Sequence, residues 1–302
     1  MQILRTPDSC FENLPGFDFE PHYTTVTADD GTDIRIHHVE AGPQDGPLIV
    51  MIHGNPTWCY LHRHMVKALA AAGARAVAVD LVGLGRSDKP TQKEDYTLAS
   101  HVDWVTQWFR KNELTDVTLF CQDWGGHIGL IVVAENPDWF SGVIAANTGL
   151  PEGTGGSDFL QGWIKMMQEA TTFPWDMIKA GMMEDLDEEV FQAYLAPFPS
   201  DAYMSGIIQF PTLICEFPDN PGVPQCKAAW EKLESFDKPV LTLFGDSDPI
   251  SAGFDKVIQQ RIPGAKAQDH QVIAGAGHFI QENYSDQLVP HIIDFMGIDK
   301  GS

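Results

Sequence analysis

Short apolar runs alternate along the chain with longer segments of helical periodicity, and this alternation restricts the fold more than any other feature. The apolar runs are TTVTA, DIRIHHVE, PLIVMIHG, RAVAVDLVG, VTLFCQD, GVIAANTG, PVLTLFGDSD and AQDHQVIAGAGH. The middle runs are apolar at nearly every position, which is typical of strands buried on both faces. Helical patterns lie between them, in CYLHRHMVKALAAAG, TLASHVDWVTQWFRKNEL, WGGHIGLIVVAEN, SAGFDKVIQQRI and SDQLVPHIIDFMG. We predict an α/β fold with a mostly parallel eight-stranded sheet and helices on both faces.

The segment from Pro151 to about Trp230 interrupts this alternation. It contains no run typical of a strand, but helical patterns occur in SDFLQGWIKMMQEA, PWDMIKAGM, DEEVFQAYLAPF and DAYMSGIIQF. An all-helical insertion after the sixth strand would lie over the carboxyl ends of the sheet, where open α/β proteins bind ligands. We therefore predict a core domain of residues 1–150 and 231–302, and a helical cap domain of residues 151–230.

The chain is strongly acidic, with 42 acidic residues against 19 basic ones and a net charge of −23. Binding of nucleic acid depends on clustered Lys and Arg, so we predict no nucleic-acid partner. The same charge disfavours an anionic membrane surface, and no apolar run has the length of a membrane-spanning segment. A site that stabilises an anion in this chain must therefore use local dipoles against the overall field.

The cysteines indicate a reducing compartment. Five are present, an odd number, without the C-x-x-C spacing of a zinc or redox site. The N-terminal MQILRTPDSC lacks the apolar core of a signal peptide, which also favours a cytoplasmic location. His37–His38 and His62-x-His64 lack further ligands, so we predict no metal site. GLGRSD lacks the third glycine of a dinucleotide fingerprint, so we predict no nucleotide cofactor.

Three titratable residues follow predicted strands at positions that suggest a catalytic triad. Asp123 follows TLFCQ and precedes a glycine-rich turn, Asp248 lies at the end of VLTLFGDSD, and His278 follows VIAGAG. Nucleophile, acid and histidine occur in this order in the triads of the α/β-hydrolase fold. Asp246 competes with Asp248 for the role of the acid, and the spacing from Gly245 favours Asp248.

An aspartate in place of the usual serine changes the chemistry that this turn can perform. A serine must lose a proton before it attacks, whereas an aspartate is already ionised at neutral pH. Asp123 can therefore displace a leaving group from carbon directly and form an alkyl ester on the protein. His278, oriented by Asp248, would then activate a water molecule that attacks the ester carbonyl. This route suits an electrophilic sp³ carbon, as in haloalkanes and epoxides.

Six segments together resemble the haloalkane dehalogenases, and most closely the subfamily whose catalytic acid follows the seventh strand. They are HGNPTWCYLHRHM, DLVGLGRSDKP, CQDWGGHIGL, AYLAPFP, FGDSDP and GAGHFIQE. The resemblance covers residues 17–297 and includes part of the cap. It implies an α/β-hydrolase fold and a cofactor-independent hydrolase, which converts a small apolar haloalkane and water into an alcohol and a halide ion.

The resemblance also implies how the halide ion is bound. Indole N–H groups donate from apolar walls, which suits a leaving halide that needs no proton. Trp124 matches the first halide-binding tryptophan of the family, and Trp163 in the first cap helix matches the second, with Trp175 as the alternative. The backbone N–H groups of Asn55 and Trp124 would form the oxyanion hole. The side chain of Asn55 is either a third halide donor or a polar part of the wall.

An apolar cavity under the cap would exclude water and strengthen the attack by Asp123. The candidate lining residues are aromatic side chains of the cap: Phe159, Trp163, Phe173, Phe191 and Phe198.

Two other functions are compatible with part of the same pattern. Epoxide hydrolases share the H-G-x-P and D-W-G-G segments and use two cap tyrosines to hydrogen-bond the epoxide oxygen; Tyr194 and Tyr203 are the candidates. Tyr194 lies within AYLAPFP, however, which resembles the dehalogenase cap, and a phenol pair would not explain Trp163. The other alternative is a non-catalytic receptor on the same fold, which is disfavoured because all three triad residues are present.

Overall fold

A sheet of eight strands runs through the protein, whose computed structural model describes residues 1–155, 158–182 and 186–298. The strands are β1 (His22–Thr27), β2 (Asp33–Ala41), β3 (Leu48–Ile52), β4 (Arg75–Val79), β5 (Val117–Gln122), β6 (Phe140–Ala146), β7 (Val240–Gly245) and β8 (Gln271–Ile273). Their order across the sheet is β8-β7-β6-β5-β3-β4-β2-β1. Strands β3 to β8 are paired in parallel, whereas β1 and β2 run antiparallel to their neighbours. The predicted mostly parallel sheet of eight strands is confirmed.

Ten α-helices accompany the sheet in the described part of the chain. They are α1 (Arg63–Ala71), α2 (Leu98–Lys111), α3 (Trp124–Glu135), α4 (Asp158–Glu169), α5 (Trp175–Met182), α6 (Glu188–Leu195), α7 (Ser205–Gln209), α8 (Val223–Leu233), α9 (Phe254–Arg261) and α10 (Ile280–Phe295). Two short strands, Ile3–Leu4 and Lys89–Pro90, form a separate antiparallel pair. Helix α1 packs against α10, and α3 packs against α2 and α8. Helix α8 was not predicted. Helix α10 begins before the predicted segment, is kinked at the non-helical Tyr284, directly before that segment, and continues through Pro290.

The centre of the sheet is buried on both faces. Residues 49–52 of β3 are all fully buried, and because successive strand residues point to opposite faces, both faces are covered. In the parallel register Ile52 of β3 pairs with Cys121 of β5. The carboxyl ends of these two central strands therefore lie side by side, and so do the loops that follow them.

Helices α4 to α8 lie between β6 and β7, that is, after the sixth strand of the sheet, as predicted. The hydroxyl of Tyr194 donates to Glu282 of the core, and Trp58 Nε1 donates to the carbonyl of Ala193 at 3.1 Å. These bonds attach the helical insertion to the core. The division at residues 151 and 230 stays a prediction; α8, which crosses the second boundary, packs along α3.

No helix in the described ranges has both the length and the apolar composition that a membrane crossing requires. The longest of them, α10, has 16 residues and contains Glu282, Asp286 and Asp294.

Candidate active site

Asp123 occupies a sharp turn between β5 and α3. Its backbone angles are φ 50° and ψ −123°, and a positive φ is uncommon for a residue other than glycine. Its N–H group donates to the carbonyl of Asn147 at 3.1 Å, and its own carbonyl accepts from Thr148 Oγ1 at 2.7 Å. A Cβ atom on Gly54 would lie 2.0 Å from Asp123 Oδ1. The glycine of HGNP is therefore needed for the carboxylate to approach the loop after β3.

The side chains of three strand-end residues form a continuous chain of contacts. His278 Nε2 lies 3.3 Å from Asp123 Oδ2, and His278 Nδ1 lies 3.0 Å from Asp248 Oδ2. Asp248 in turn accepts from the N–H group of Ile250 at 2.9 Å and from the hydroxyl of Ser251. The structure thus brings Asp123, His278 and Asp248 together in the order that the sequence suggests.

The competing carboxylate, Asp246, makes different contacts. It is exposed, and its Oδ1 accepts from the Gly275 N–H group at 2.8 Å and from the Ser247 hydroxyl at 2.9 Å. Asp246 therefore stabilises the loop that precedes His278, whereas Asp248 contacts the imidazole ring of His278 itself. The structure places Asp248, and not Asp246, beside His278.

The attraction between these charges decides their protonation. Burial alone lowers the pKa of His278, but the carboxylates of Asp248 and Asp123 outweigh burial and raise this pKa to about 10. Burial raises the pKa of Asp123, but His278 and the backbone N–H groups of Trp124 and Asn55 bring it below its ordinary value. Burial likewise raises the pKa of Asp248, but His278, the Ser251 hydroxyl and the Ile250 N–H group together bring it below its ordinary value. At neutral pH the site therefore contains two carboxylates and an imidazolium.

Two backbone N–H groups approach the carboxylate of Asp123. The N–H group of Asn55 donates to Oδ1 at 2.7 Å, and that of Trp124 stabilises the same charge. An ester on Asp123 would keep an oxygen between these donors, the arrangement that stabilises an oxyanion. The side-chain amide of Asn55 donates to the carbonyl of Ile207 at 3.3 Å, and Asn55 also lines the cavity described next.

A cavity of about 440 Å³ lies between the strand ends and the helical insertion, in front of this carboxylate. It is lined by Asn55, Pro56, Asp123, Trp124, Phe159, Leu160, Trp163, Met177, Ile178, Pro211, Ile214, Ser247, Pro249, Ile250, Gly275, Gly277, His278, Asn283 and Tyr284. The wall contributed by α4 and α5 consists of apolar and aromatic side chains. A small apolar molecule therefore fits this space, with its reacting carbon close to the carboxylate.

The two predicted indole donors both border the cavity, Trp124 at the start of α3 and Trp163 in α4. Trp175 is not among the described residues of the wall. Its ring centroid lies 4.9 Å from that of Phe173 and 6.3 Å from that of Phe191, inside the cap. Of the two candidates for the second indole donor, Trp163 borders the cavity and Trp175 is absent from its described lining.

Part of the predicted aromatic wall is found. Phe159 and Trp163 line the cavity, and 51% of Phe159 is exposed. Phe173, Phe191 and Phe198 are buried within the cap and are absent from the described lining. The prediction for these three was wrong, because a helix face that packs inside the cap has the same apolar periodicity as a face that borders a cavity.

The two cap tyrosines do not take the positions that binding of an epoxide oxygen requires. Tyr194 is fully buried, and its hydroxyl donates to Glu282, which also pairs with Arg63. Tyr203 lies in the short 3-10 helix Asp201–Tyr203. Neither tyrosine belongs to the described lining of the cavity.

Asn147, which the sequence pattern did not identify, connects the loops that carry the triad. Its amide donates to the carbonyls of Gly277 at 2.8 Å and His278 at 3.1 Å, and its Oδ1 accepts from the Gly245 N–H group at 2.8 Å. Its carbonyl accepts from Asp123, as described above. The one sequence feature that could have pointed to Asn147 as a site residue is its position directly after β6.

Among the described residues, His37, Cys59 and Asp80 form a buried cluster whose potential ligand atoms lie within 4.8 Å of one another. The carboxylate of Asp80, however, already contacts His37 Nδ1 at 2.7 Å and accepts from the N–H groups of Cys59 and Arg86 at 2.7 and 2.8 Å. These bonds account for the buried charge of Asp80 without a metal ion. The cluster is also separate from the cavity lining.

Comparisons with known proteins agree on one family. A family model described as the alpha/beta hydrolase fold matches residues 47–206. A haloalkane dehalogenase of Psychrobacter cryohalolentis is 45% identical over 300 residues, which cover 98% of each chain. One of Mycobacterium marinum is 42% identical over 297 residues, which cover 98% of this chain and all of the relative. The solved tetrameric structure of a haloalkane dehalogenase of Paraglaciecola agarilytica is 27% identical, with a TM-score of 0.88 and full coverage of both chains.

Proposed function

This chain belongs to the haloalkane dehalogenases of the α/β-hydrolase fold, and we propose that Asp123 is the nucleophile with which it cleaves the carbon–halogen bond. The reaction as a whole converts a haloalkane and water into an alcohol, a halide ion and a proton. The observation that carries the assignment is the contact of Asp123 with His278 at the edge of a cavity that also contains Trp124 and Trp163.

In the first step an oxygen of Asp123 attacks the carbon that bears the halogen. The new C–O bond forms as the carbon–halogen bond breaks, and the halide ion leaves with the electron pair. The lowered pKa of Asp123 keeps its carboxylate ionised, so this attack needs no base. The indole N–H groups of Trp124 and Trp163 donate to the departing halide, and the apolar wall keeps water from competing with it.

In the second step His278 takes a proton from a water molecule, whose oxygen attacks the ester carbon of Asp123. The N–H groups of Asn55 and Trp124 stabilise the resulting oxyanion. His278 must be neutral to act as the base. Because the ester no longer carries the charge of Asp123, its formation lowers the pKa of His278 from about 10 in the free enzyme. His278 therefore releases its proton to the solvent once the ester has formed, and this is the proton that appears as a product of the reaction.

The direct test of this function is bromide release from 1-bromobutane by the purified protein, with loss of styrene oxide measured in parallel. We expect bromide release well above a buffer blank and no consumption of the epoxide. Epoxide loss without bromide would contradict the halide role of the two tryptophans.

Replacing either halide donor with phenylalanine, Trp124→Phe or Trp163→Phe, is expected to slow the first step about 100-fold. The ring shape is largely kept, but the N–H group that faces the leaving halide is lost. Rapid-quench measurement of bromide in the first turnover gives the rate. Trp175→Phe is the matched control, because Trp175 lies in the cap away from the cavity, and it is expected to stay within about threefold of the wild type. A larger loss for Trp175→Phe than for Trp163→Phe would reverse the assignment.

Replacing the acid of the triad, Asp248→Asn, is expected to lower kcat about 100-fold, because His278 loses the carboxylate that orients its ring and raises its pKa. Asp246→Asn removes the competing carboxylate two residues away and is expected to leave kcat within about threefold of the wild type. Steady-state bromide release from both variants decides between the two carboxylates. Comparable losses in both would contradict the choice of Asp248.

A cytoplasmic location is also proposed, supported by five cysteines that are all unpaired in the structure. The proposed partners are small molecules, namely a haloalkane, water and the halide ion. The net charge of −23 opposes binding to nucleic acid or to an anionic membrane.

A further inference from the structure

A small side chamber of about 30 Å³ opens beside the main cavity. Asp123, Trp124 and His278 line both spaces. The two spaces also share the apolar side chains of Leu160, Ile214 and Ile250, so the chamber adjoins the main cavity beside the nucleophile and the base. Its remaining wall includes two polar residues without a role so far, His127 and Glu216.

Each of these two residues has a buried polar atom without a partner. Glu216 is 2% exposed and His127 is 9% exposed. Glu216 Oε1 and His127 Nε2 have no hydrogen-bond partner among the described residues. Buried polar atoms in native proteins are almost always hydrogen-bonded, to protein or to ordered water. The chamber that both side chains line has room for one or two water molecules, and such a water needs two or more polar partners.

The contacts of His127 show which of its nitrogens can accept a hydrogen bond. His127 Nδ1 lies 3.2 Å from the backbone carbonyl of Asp123, and a carbonyl can only accept, so Nδ1 carries the hydrogen. Burial lowers the pKa of His127 and keeps the ring neutral, which leaves Nε2 as an acceptor. Burial also raises the pKa of Glu216 and favours its neutral form, which can both donate and accept. A water molecule in the chamber therefore finds an acceptor on one side and a carboxyl group on the other.

We propose that the side chamber holds the water that hydrolyses the alkyl ester, with Glu216 and His127 as the residues that position it; this inference rests on the function proposed above. One proton of the water passes to His278 Nε2, and its oxygen forms a bond to the Asp123 carboxyl carbon. The bond between that carbon and the alkoxy oxygen then breaks, and the leaving alkoxide takes the proton from the imidazolium to become the alcohol. The second proton of the water passes from the Asp123 carboxyl group to His278, 3.3 Å away, so Asp123 regains a carboxylate with one oxygen from water. Substrate can thus fill the apolar cavity while the hydrolytic water stays in place.

The test separates the two chemical steps in three variants. Glu216→Leu replaces the carboxyl group with an apolar side chain of similar volume, whereas Glu216→Gln keeps a side chain that can donate and accept. Cys215→Ala is the matched control, because Cys215 is the buried neighbour in the chain and is absent from the described lining of either space. Rapid quench with 1-bromobutane gives bromide formation for the first step, and intact-protein mass spectrometry follows the alkylated enzyme for the second.

In Glu216→Leu we expect bromide formation in the first turnover at the wild-type rate, and ester hydrolysis about tenfold slower, so that alkylated enzyme accumulates. Glu216→Gln and Cys215→Ala are expected within about threefold of the wild type in both steps. The pH profile of hydrolysis in Glu216→Leu should keep its wild-type midpoint, because His278 and Asp248 are untouched. A purely structural role of Glu216 would instead slow both steps or shift that midpoint.

Hydrolysis at the wild-type rate in folded Glu216→Leu would overturn the role of the chamber, and so would an equal slowing of both steps. A crystal structure of the wild type keeps the inference testable if this variant does not fold. Ordered water within hydrogen-bond distance of Glu216 and His127 is expected there, and a chamber without ordered water would contradict the inference. Failure of the proposed function is a separate result: the wild-type enzyme itself would then release no bromide.

Discussion

Substituting the nucleophile, Asp123→Asn, is expected to abolish turnover, with a loss in kcat of at least about 10⁴-fold. The amide keeps an oxygen for the N–H group of Asn55, and asparagine tolerates the positive φ of this turn, so the variant should fold. It cannot displace a halide, however, because an amide is a poor nucleophile. Bromide release from 1-bromobutane measures the loss.

Two further measurements test whether this loss reflects an ester on Asp123. The intact mass of Asp123→Asn before and after the assay shows whether deamidation has restored the aspartate. A single turnover of the wild type in ¹⁸O-labelled water should put the label into the protein, and the alcohol formed should carry the former carboxylate oxygen. A labelled alcohol from the first turnover would mean that water attacks the haloalkane directly, and the ester mechanism would be wrong.

Substituting the base, His278→Phe, is expected to stop the reaction after each enzyme molecule has formed the ester once. The first step needs only the ionised Asp123, whose charge loses the support of His278 in this variant but keeps that of the Asn55 and Trp124 N–H groups. At a pH high enough to keep Asp123 ionised, each enzyme molecule should therefore release about one bromide ion and then keep the alkyl group as an ester. Steady turnover is expected to fall about 10³-fold or more. Rapid-quench bromide measurement gives the amplitude, and intact-protein mass spectrometry detects the added alkyl group.

The control for this variant is Asp248→Asn, in which the imidazole stays but its carboxylate partner is lost. It should accumulate the ester only partly, because a neutral imidazole can still accept a proton from water. Full turnover without an adduct in His278→Phe would show that another group serves as the base. No bromide at all, from folded protein, would show that His278 is needed for the attack itself.

The sheet and the proximity of Asp123, His278 and Asp248 could be predicted for a common reason. A strand buried on both faces has an apolar sequence that few other structures produce, so the ends of the strands are visible in the sequence. Asp123 directly follows β5, and His278 lies in the loop that follows β8, at the edge where parallel strands bring distant residues together. Helix α8 carried a signal as well, since Cys226, Trp230 and Leu233 recur at helical spacing, but this pattern was not identified.

The residues that were missed depend on tertiary contacts that leave no sequence pattern. Asn147 is one asparagine among several, and its role follows from three backbone groups that meet around it. Glu216 lies in the loop between α7 and α8, and its burial beside the chamber cannot be inferred from neighbouring residues in the chain. The cap aromatics illustrate the opposite case: Phe173 and Phe198 had the expected pattern, but packing placed them in the cap interior.

The triad is carried by loops of the core, whereas much of the cavity wall is carried by α4 and α5, at Phe159, Trp163 and Met177. Mutations that alter the range of accepted haloalkanes can therefore accumulate in one segment of the gene while the segments that encode the chemistry stay constant. Exchange of this segment between homologues is a route by which new selectivities can evolve. The turn at Asp123, which depends on the close approach of Gly54, would not be disturbed by such an exchange. The proposed halide donor Trp163 limits this freedom, because it lies in the same short segment and would have to be retained.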